Sequence, residues 1–472
     1  PPKQAAASEK YRVVILTDMT HDDGNSLIRY LYYTPHFDTE AIIVTPQLPD
    51  FPHDSDAPWR KAQGILEAYR SEREQLAKHD SRFPTYEELA KVTRRGRGAL
   101  PIIWLTETRK FGGDIAGRHV ESEWGRIRFE DWIGEGTTPN GEPKDSDGSD
   151  WLQQVFARRD DRPIYVQAWG GPITLVQALH RYQQRHGAEE VRALLAKLHV
   201  YSIHLQDITC DYFLNLDELR KTKCAHLGET RSTYHGERLQ PATFIFDMGH
   251  FWRYIKAVDP ARVSGFGPMS RLYDGGGEGD TPAFLYLVSA VQGLNDPLAP
   301  TQGSWGNMFH PMGDPFPKGC YHTCPGDQKE LERWLPDATS SFLARLQWSV
   351  KDPDQVNHAP QAVVNGEQGN RILRVRGQPG SPVVLDASQS SDPDRHQLRF
   401  RWFHYQAAGS YAQELPISRP EEPRQVVVVP PDLGAREIHL VVEVRDNGSP
   451  ELVSYRRVIL TAAQSNPPDR SR

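Results

Sequence analysis

The chain has 472 residues, more than one ordinary domain of roughly 150 residues holds. Its 38% hydrophobic and 10% aromatic content belongs to a folding chain, not a disordered one. With 55 basic against 62 acidic residues it lacks the basic field that nucleic acid requires. No apolar run approaches the roughly 18 residues that span a bilayer. The opening PPKQAAASEK reads as what remains after a signal peptide is removed, so a secreted or periplasmic location is expected.

From residue 11 to about 300, short apolar runs alternate with helical patterns. Residues 12–17 (RVVILT), 41–45 (AIIVT), 102–106 (IIWLT), 164–168 (IYVQA) and 198–203 (LHVYSI) read as buried strands. Helical stretches such as 172–186 lie between several of them. Continuous apolar strands separated by helices predict a mostly parallel sheet covered on both faces, an α/β layered domain. The Gly- and polar-rich segment 134–150 reads as a loop, either solvated or bordering a site.

A last helical pattern over 329–348 gives way to the polar connector VKDPDQVNHAP. Runs at 383–385, 398–405, 425–429, 438–444 and 453–461 then alternate with turns, the pattern of a small all-β sandwich. The expected organisation is a flexible lead-in at 1–10, an α/β domain at 11–345, a linker at 346–360, a sandwich at 361–465 and a tail at 466–472. Trp402 fits the sandwich core, and Asp386, Asp392 and Asp394 form a turn read as solvated, with a Ca²⁺ loop as the alternative. The four cysteines permit two pairings, Cys210–Cys224 and Cys320–Cys324, but offer no second ligand pair for zinc.

Chemistry concentrates in three segments. In VVILTDMTHDD, Asp18 ends the first strand, and Asp22 and Asp23 precede a helix. Ligands of α/β sheets bind beyond the carboxyl ends of the strands. Carboxylates converging there repel, and a hard cation such as Ca²⁺ relieves that cost. Alternatively these residues cap the helix and its turn. In Trp169-Gly170-Gly171-Pro172-Ile173-Thr174, the glycines permit close backbone approach and place carbonyls at the same edge. In GGEGDTPAFLYL, Asp280 precedes an apolar helix, as an N-cap or as a further ligand.

VVILTDMTHDD resembles the nucleoside hydrolase signature, an apolar strand running into Asp-Pro-Gly-x-Asp-Asp. Gly171-Pro172-Ile173-Thr174 resembles that family's Gly-Pro-Leu-Thr segment, and Gly279-Asp280 its His-Asp pair. DDRPIYVQAWGGPITLVQAL, EGDTPAFLYL, GSWGNMF, NHAP, LDASQSSDPD and YRRVIL together resemble the nucleoside hydrolase-like proteins with a C-terminal immunoglobulin-like sandwich, the cellulose-binding, Sde182-like group.

This resemblance implies a bound Ca²⁺ held by Asp18, Asp23, Asp280 and the Gly170 carbonyl. It implies Asp18 as general base toward a water and Asp22 as a hydrogen-bonding partner of a sugar hydroxyl. His21, Gln206, Asp207, Trp169 and Trp305 are the further candidates for contact with a sugar. The sequence departs from the nucleoside hydrolases at Leu16, Leu175 and Gly279, and lacks their Glu-Phe-Asn segment, with His204-Leu205-Gln206-Asp207 in its place.

The expected function is a calcium-dependent glycoside hydrolase cleaving a furanosidic or related bond. A carbohydrate-binding protein on a disabled scaffold and an N-ribohydrolase are the alternatives. The expected partner is a carbohydrate or glycoside, and the family's habit allows a homo-oligomer.

Overall fold

The structure is a computed structural model that describes residues 10–45, 56–97, 128–138, 141–203, 207–219, 221–222, 232–247, 258–323 and 328–463. Strands β1 (Tyr11–Thr17), β2 (Phe37–Val44), β3 (Thr93–Arg95), β4 (Ile164–Ala168), β5 (Leu198–Ile203), β6 (Thr243–Asp247), β7 (His310–Pro311) and β8 (Cys320–His322) build one sheet. Its order is β3-β2-β1-β4-β5-β6-β8-β7. Every pairing is parallel except β7 with β8. The chain winds outward from β1 in both directions, so the topological switch point lies between β1 and β4.

Alternation along β1 shows why these strands are apolar throughout. Val13 and Ile15 enter one core, and Val14 and Leu16 enter the other. The first core packs α1 (His21–Leu31), α2 (Ala57–His79), α7 (Pro282–Val291) and α8 (Gln328–Trp348) on one face. The second packs α4 (Asp147–Phe156), α5 (Ile173–Arg185) and α6 (Ala188–Leu195) on the other, while α3 (Tyr86–Val92) leads into β3. A strand covered on both sides has no solvent face on which a polar residue would be favoured. No helix among the described residues is long and apolar enough to cross a membrane.

Differences from the sequence reading are local. The run at 102–106 lies outside the described residues. Strand β3 was not expected, because its sequence Thr93-Arg94-Arg95 is polar and only its pairing with β2 makes it a strand. The 134–150 loop is shorter than expected, since Ser146 caps a helix that starts at Asp147. Cys210 and Cys320 are buried free thiols among the described residues, and Cys224 and Cys324, the other halves of the two pairings, lie outside them.

The C-terminal region is all β. A four-stranded sheet, β11 (Arg399–His404), β13 (Ile438–Arg445), β14 (Val453–Ala462) and β9 (Leu373–Gly377), faces a two-stranded one, β10 (Pro382–Asp386) with β12 (Arg424–Val428). Leu385, Trp402, Val427, Leu440 and Val458 share the core between them. The other face of the four-stranded sheet rests on the first domain, where Val441, Val453 and Tyr455 join the core built around α8. Asp337 of α8 receives a bidentate ion pair from Arg445 at 2.6 and 2.9 Å and the Tyr455 hydroxyl at 2.5 Å.

Candidate functional site

The acidic loop follows β1 at the switch point. Asp23, only 1% exposed, organises it. Its Oδ1 accepts from the Thr17 hydroxyl, from Asp18 N at 3.2 Å and from Met19 N at 3.3 Å. Its Oδ2 accepts from the Thr20 hydroxyl at 3.1 Å. Thr20 N in turn donates to Asp18 Oδ1 at 3.0 Å. These bonds hold Met19 in the left-handed region, at φ 59°, a conformation that costs a side-chain-bearing residue on the order of 1 kcal/mol or more. Asp22 and Asp23 sit at the first turn of α1, where the helix dipole favours negative charge.

Two glycines let β4 close on this loop. The amides of Trp169 and Gly170 both donate to Leu16 O, at 2.8 and 3.1 Å. A Cβ on Gly170 would stand 3.0 Å from Asp18 N and 3.1 Å from Asp18 Oδ2, so a side chain there would crowd the aspartate. At Gly171 a Cβ would meet Asp207 Oδ2 at 2.0 Å.

Asp280 arrives from a segment some 250 residues away, and α1 holds it in place. Arg29 pairs with Glu278 at 2.6 Å, with both side chains buried. The Ser26 and Thr281 hydroxyls lie 3.0 Å apart, and the Asn25 side-chain amide donates to Gly277 O at 2.9 Å. One face of the helix that carries Asp22 and Asp23 therefore clamps both sides of Asp280.

Asp22, Asp23 and Asp280 present carboxylate oxygens that all lie within 4.8 Å of one another. Asp280 Oδ2 is buried and has no hydrogen-bond partner among the described residues. Burial, and then the charges of Asp23, Asp22 and Asp18, push the Asp280 carboxyl well above its usual range. Asp18 is pushed up by burial and by Asp23. Asp22 rises to about 7, through burial and then Asp23, while Lys61 opposes the shift. Lys61 Nζ donates to the carbonyls of Met19 and Thr20, at 3.2 and 2.6 Å, and so ties α2 to the loop. A buried, oxygen-only cluster with an orphaned lone pair fits a hard divalent cation.

Several sequence candidates do not face this cluster. Trp169 is fully buried, with Tyr30 and Phe284 around its ring, so no face is open to a sugar. Trp305 is 1% exposed, and its Nε1 donates to the Tyr455 hydroxyl at 3.2 Å. It plugs the contact between the two regions instead of stacking on substrate. Asp207 is buried and committed to its own chain, accepting from Thr209 N at 2.7 Å, the Thr209 hydroxyl and Ile173 N at 3.2 Å. Its carboxyl rises to about 6 because burial outweighs those bonds. It anchors the start of α5 beneath Gly171. Gln206, His204 and the His21 side chain lie outside the described residues.

The sequence reading missed Arg29, Glu278, Asn25, Ser26 and Lys61. Thr17 and Thr20, which flank the acidic residues, carried a visible turn signal. An Arg and a Glu separated by 249 positions carry none.

Residues 12–309 match the family described as "Cellulose-binding Sde182, nucleoside hydrolase-like domain". The chain belongs to this family. Residues 382–462 match the family's companion, "Cellulose-binding protein Sde0182, C-terminal domain". A solved structure from Saccharophagus degradans is similar, at 27% identity and a TM-score of 0.73, over 96% of this chain and 100% of that one. It is described as a nucleoside hydrolase-related hypothetical protein associated with carbohydrate metabolism. An effector protein structure is far more distant, at 12% identity and a TM-score of 0.34 over 72% of this chain and 95% of that one. No curated protein matches the chain.

Proposed function

We propose that this Sde182-family chain is a calcium-dependent glycoside hydrolase that cleaves a furanosidic or related glycosidic bond with water. The observation that carries this reading is the Asp22–Asp23–Asp280 cluster, in which Asp23 and Asp280 are buried and an Asp280 oxygen has no hydrogen-bond partner among the described residues. Asp23 and Asp280, with Asp18 and the Gly170 carbonyl, would hold the cation. When bound, Ca²⁺ supplies a water of lowered pKa and a grip on a sugar diol. Asp18 would take the proton from the attacking water. Asp22, the more exposed of the loop's carboxylates, would orient a sugar hydroxyl. The concentrated negative charge would stabilise an oxocarbenium-like centre, and direct attack by water inverts the anomeric carbon.

The test is sugar release from a panel of aryl furanosides, aryl pyranosides and nucleosides, with Ca²⁺ and after chelation. Release from one furanoside, lost on chelation and in Asp18→Asn, supports the reading. Turnover that Asp18→Asn leaves intact refutes it.

The family's cellulose-binding description favours a second reading, a polysaccharide-binding protein. That reading expects saturable binding to insoluble polysaccharide, unchanged in Asp18→Asn, with no sugar released.

A further inference from the structure

A second acidic cluster lies in the C-terminal region, remote in sequence from the first. Asp392 and His396 belong to the turn between β10 and β11, and Asp446 to the turn between β13 and β14. Each offers one ligand atom, and the three atoms lie within 4.8 Å of one another. The sequence suggested a solvated turn here. The structure corrects this, because the Asp392 side chain is 1% exposed and Asp446 is fully buried.

The hydrogen bonds show what these groups are not doing. Asp392 Oδ1 accepts from Asp394 N and His396 N, both at 2.9 Å. Asp446 Oδ1 accepts from Gly448 N at 3.0 Å and Leu452 N at 2.9 Å, and its Oδ2 from the Asn357 amide at 3.0 Å. Each turn thus fixes its carboxylate through one oxygen. Asp392 Oδ2 and His396 Nδ1 are both buried and without a partner among the described residues. His396 Nδ1 lies 3.7 Å from Asp392 Oδ1, too far for a hydrogen bond, so the pair does not satisfy itself. A carboxylate oxygen and an imidazole nitrogen left this way beside the buried Asp446 carboxylate carry the cost of desolvation, unless something binds them.

We propose that Asp392, His396 and Asp446 form a divalent-cation site separate from the acidic loop after β1. The donor set decides the class of ion. Mixed imidazole nitrogen and carboxylate oxygen suits borderline transition ions, Zn²⁺ first, whereas Ca²⁺ takes oxygen ligands.

The role of the site follows from what it joins. Asn357 and His358 lie in the connector that leaves α8. Asn357 donates to Asp446, while His358 N and Nδ1 meet Asp394 at 2.7 and 3.0 Å. The His358 ring also packs beside Trp348, the last residue of α8. A cation at this point staples two turns of the C-terminal sheets around the connector from the first domain, making it a structural site that fixes how the two regions meet.

The test uses the full chain, stripped of metal and kept in excess Ca²⁺, with Zn²⁺ titrated against a chromogenic chelator. Wild type should take up one Zn²⁺ per chain. His396→Gln and Asp392→Asn should weaken that uptake by about tenfold or more, as changes at metal sites do. Asp280→Asn should leave it unchanged. Zn²⁺ should slow proteolysis of the connector at 349–372 in wild type and not in His396→Gln. His396 is about one-third exposed, so His396→Gln is expected to fold, and this variant decides the matter if Asp392→Asn unfolds. Absence of Zn²⁺ uptake by wild type, uptake unaffected by His396→Gln, or uptake lost in Asp280→Asn would each overturn the assignment.

Discussion

The Arg29–Glu278 pair is one of three contacts by which α1 holds the segment that carries Asp280. Its partners meet at 2.6 Å, and the side chains are 2% and 0% exposed. Arg29 also donates to Ala338 O at 2.6 Å and lies over the Phe342 ring, joining α1, α8 and the segment before α7. Arg29→Met removes the cation and leaves Glu278 as an isolated buried charge, two residues before Asp280. Breaking one side of a buried pair costs about 3–5 kcal/mol, most of it from the uncompensated charge and not from lost attraction. The double variant Arg29→Met/Glu278→Met removes both charges and should recover much of that loss, since replacing a buried pair by apolar groups is often close to neutral. Urea unfolding of wild type, the two single variants and the double variant measures the coupling. If Arg29→Met costs less than about 1 kcal/mol, or if the double variant loses the sum of the singles, the pair does not hold the segment and this reasoning is wrong. On the proposed function, the double variant should bind Ca²⁺ more weakly than wild type, because the Asp280 segment then keeps only the Ser26 and Asn25 contacts among those from α1 described above.

Further outcomes follow from the same geometry. Asp18→Asn removes one charge from a crowded buried cluster, so at neutral pH and without Ca²⁺ it should melt at or above the wild-type temperature while losing turnover; a lower melting temperature would show that Asp18 is needed for the loop itself. His439, pushed down to about 3 by burial and by Arg457, and His199, pushed down to about 4 by burial, stay neutral when folded. The unfolded chain takes up those protons from the ordinary imidazole range near 6.5 downward, so stability should fall as pH drops below about 6.5 and level off near 3–4. His439→Gln should flatten that slope, as read by urea midpoints across pH. Tyr455→Phe removes the hydroxyl shared by Asp337 and Trp305 and should cost about 1–2 kcal/mol with sugar release unchanged; a fall in turnover at full folding would place this contact in the site.

Much of the architecture was legible because it rests on local pattern. The apolar runs of β1, β2, β4 and β5, and the alternation at 438–444 and 453–461, are set by burial on one face or two, and burial is written in residue type. Strand β3 was invisible, since two of its three residues are arginines and only its neighbour β2 completes it. Strand β9, Leu-Arg-Val-Arg-Gly, was missed for a similar reason: it joins β14 at the sheet edge with alternate residues exposed.

The carboxylates at 18, 22, 23 and 280 could be picked out from sequence, not because any one stretch was decisive, since each aspartate could equally cap a helix, but because three separate segments point to one sheet edge and together resemble the nucleoside hydrolase signature. Their surroundings could not. The sequence suggested Trp169 and Trp305 as sugar platforms, and tertiary packing buried both, because a large ring lowers the free energy more in a core than at a wet surface unless a ligand covers it. Asp207 turned from a candidate sugar contact into the anchor of α5 because Gly171 leaves room for its carboxylate there.

By itself, then, the amino-acid order determined the strand and helix pattern, the α/β-then-β sequence of regions and the candidate acids, all products of short-range periodicity and residue chemistry. Only the tertiary structure decided which acids meet, which aromatics are buried and that Asp392, His396 and Asp446 converge. Those depend on segments separated by tens to hundreds of residues, whose approach is governed by the register of the sheets and the closing of two shared cores.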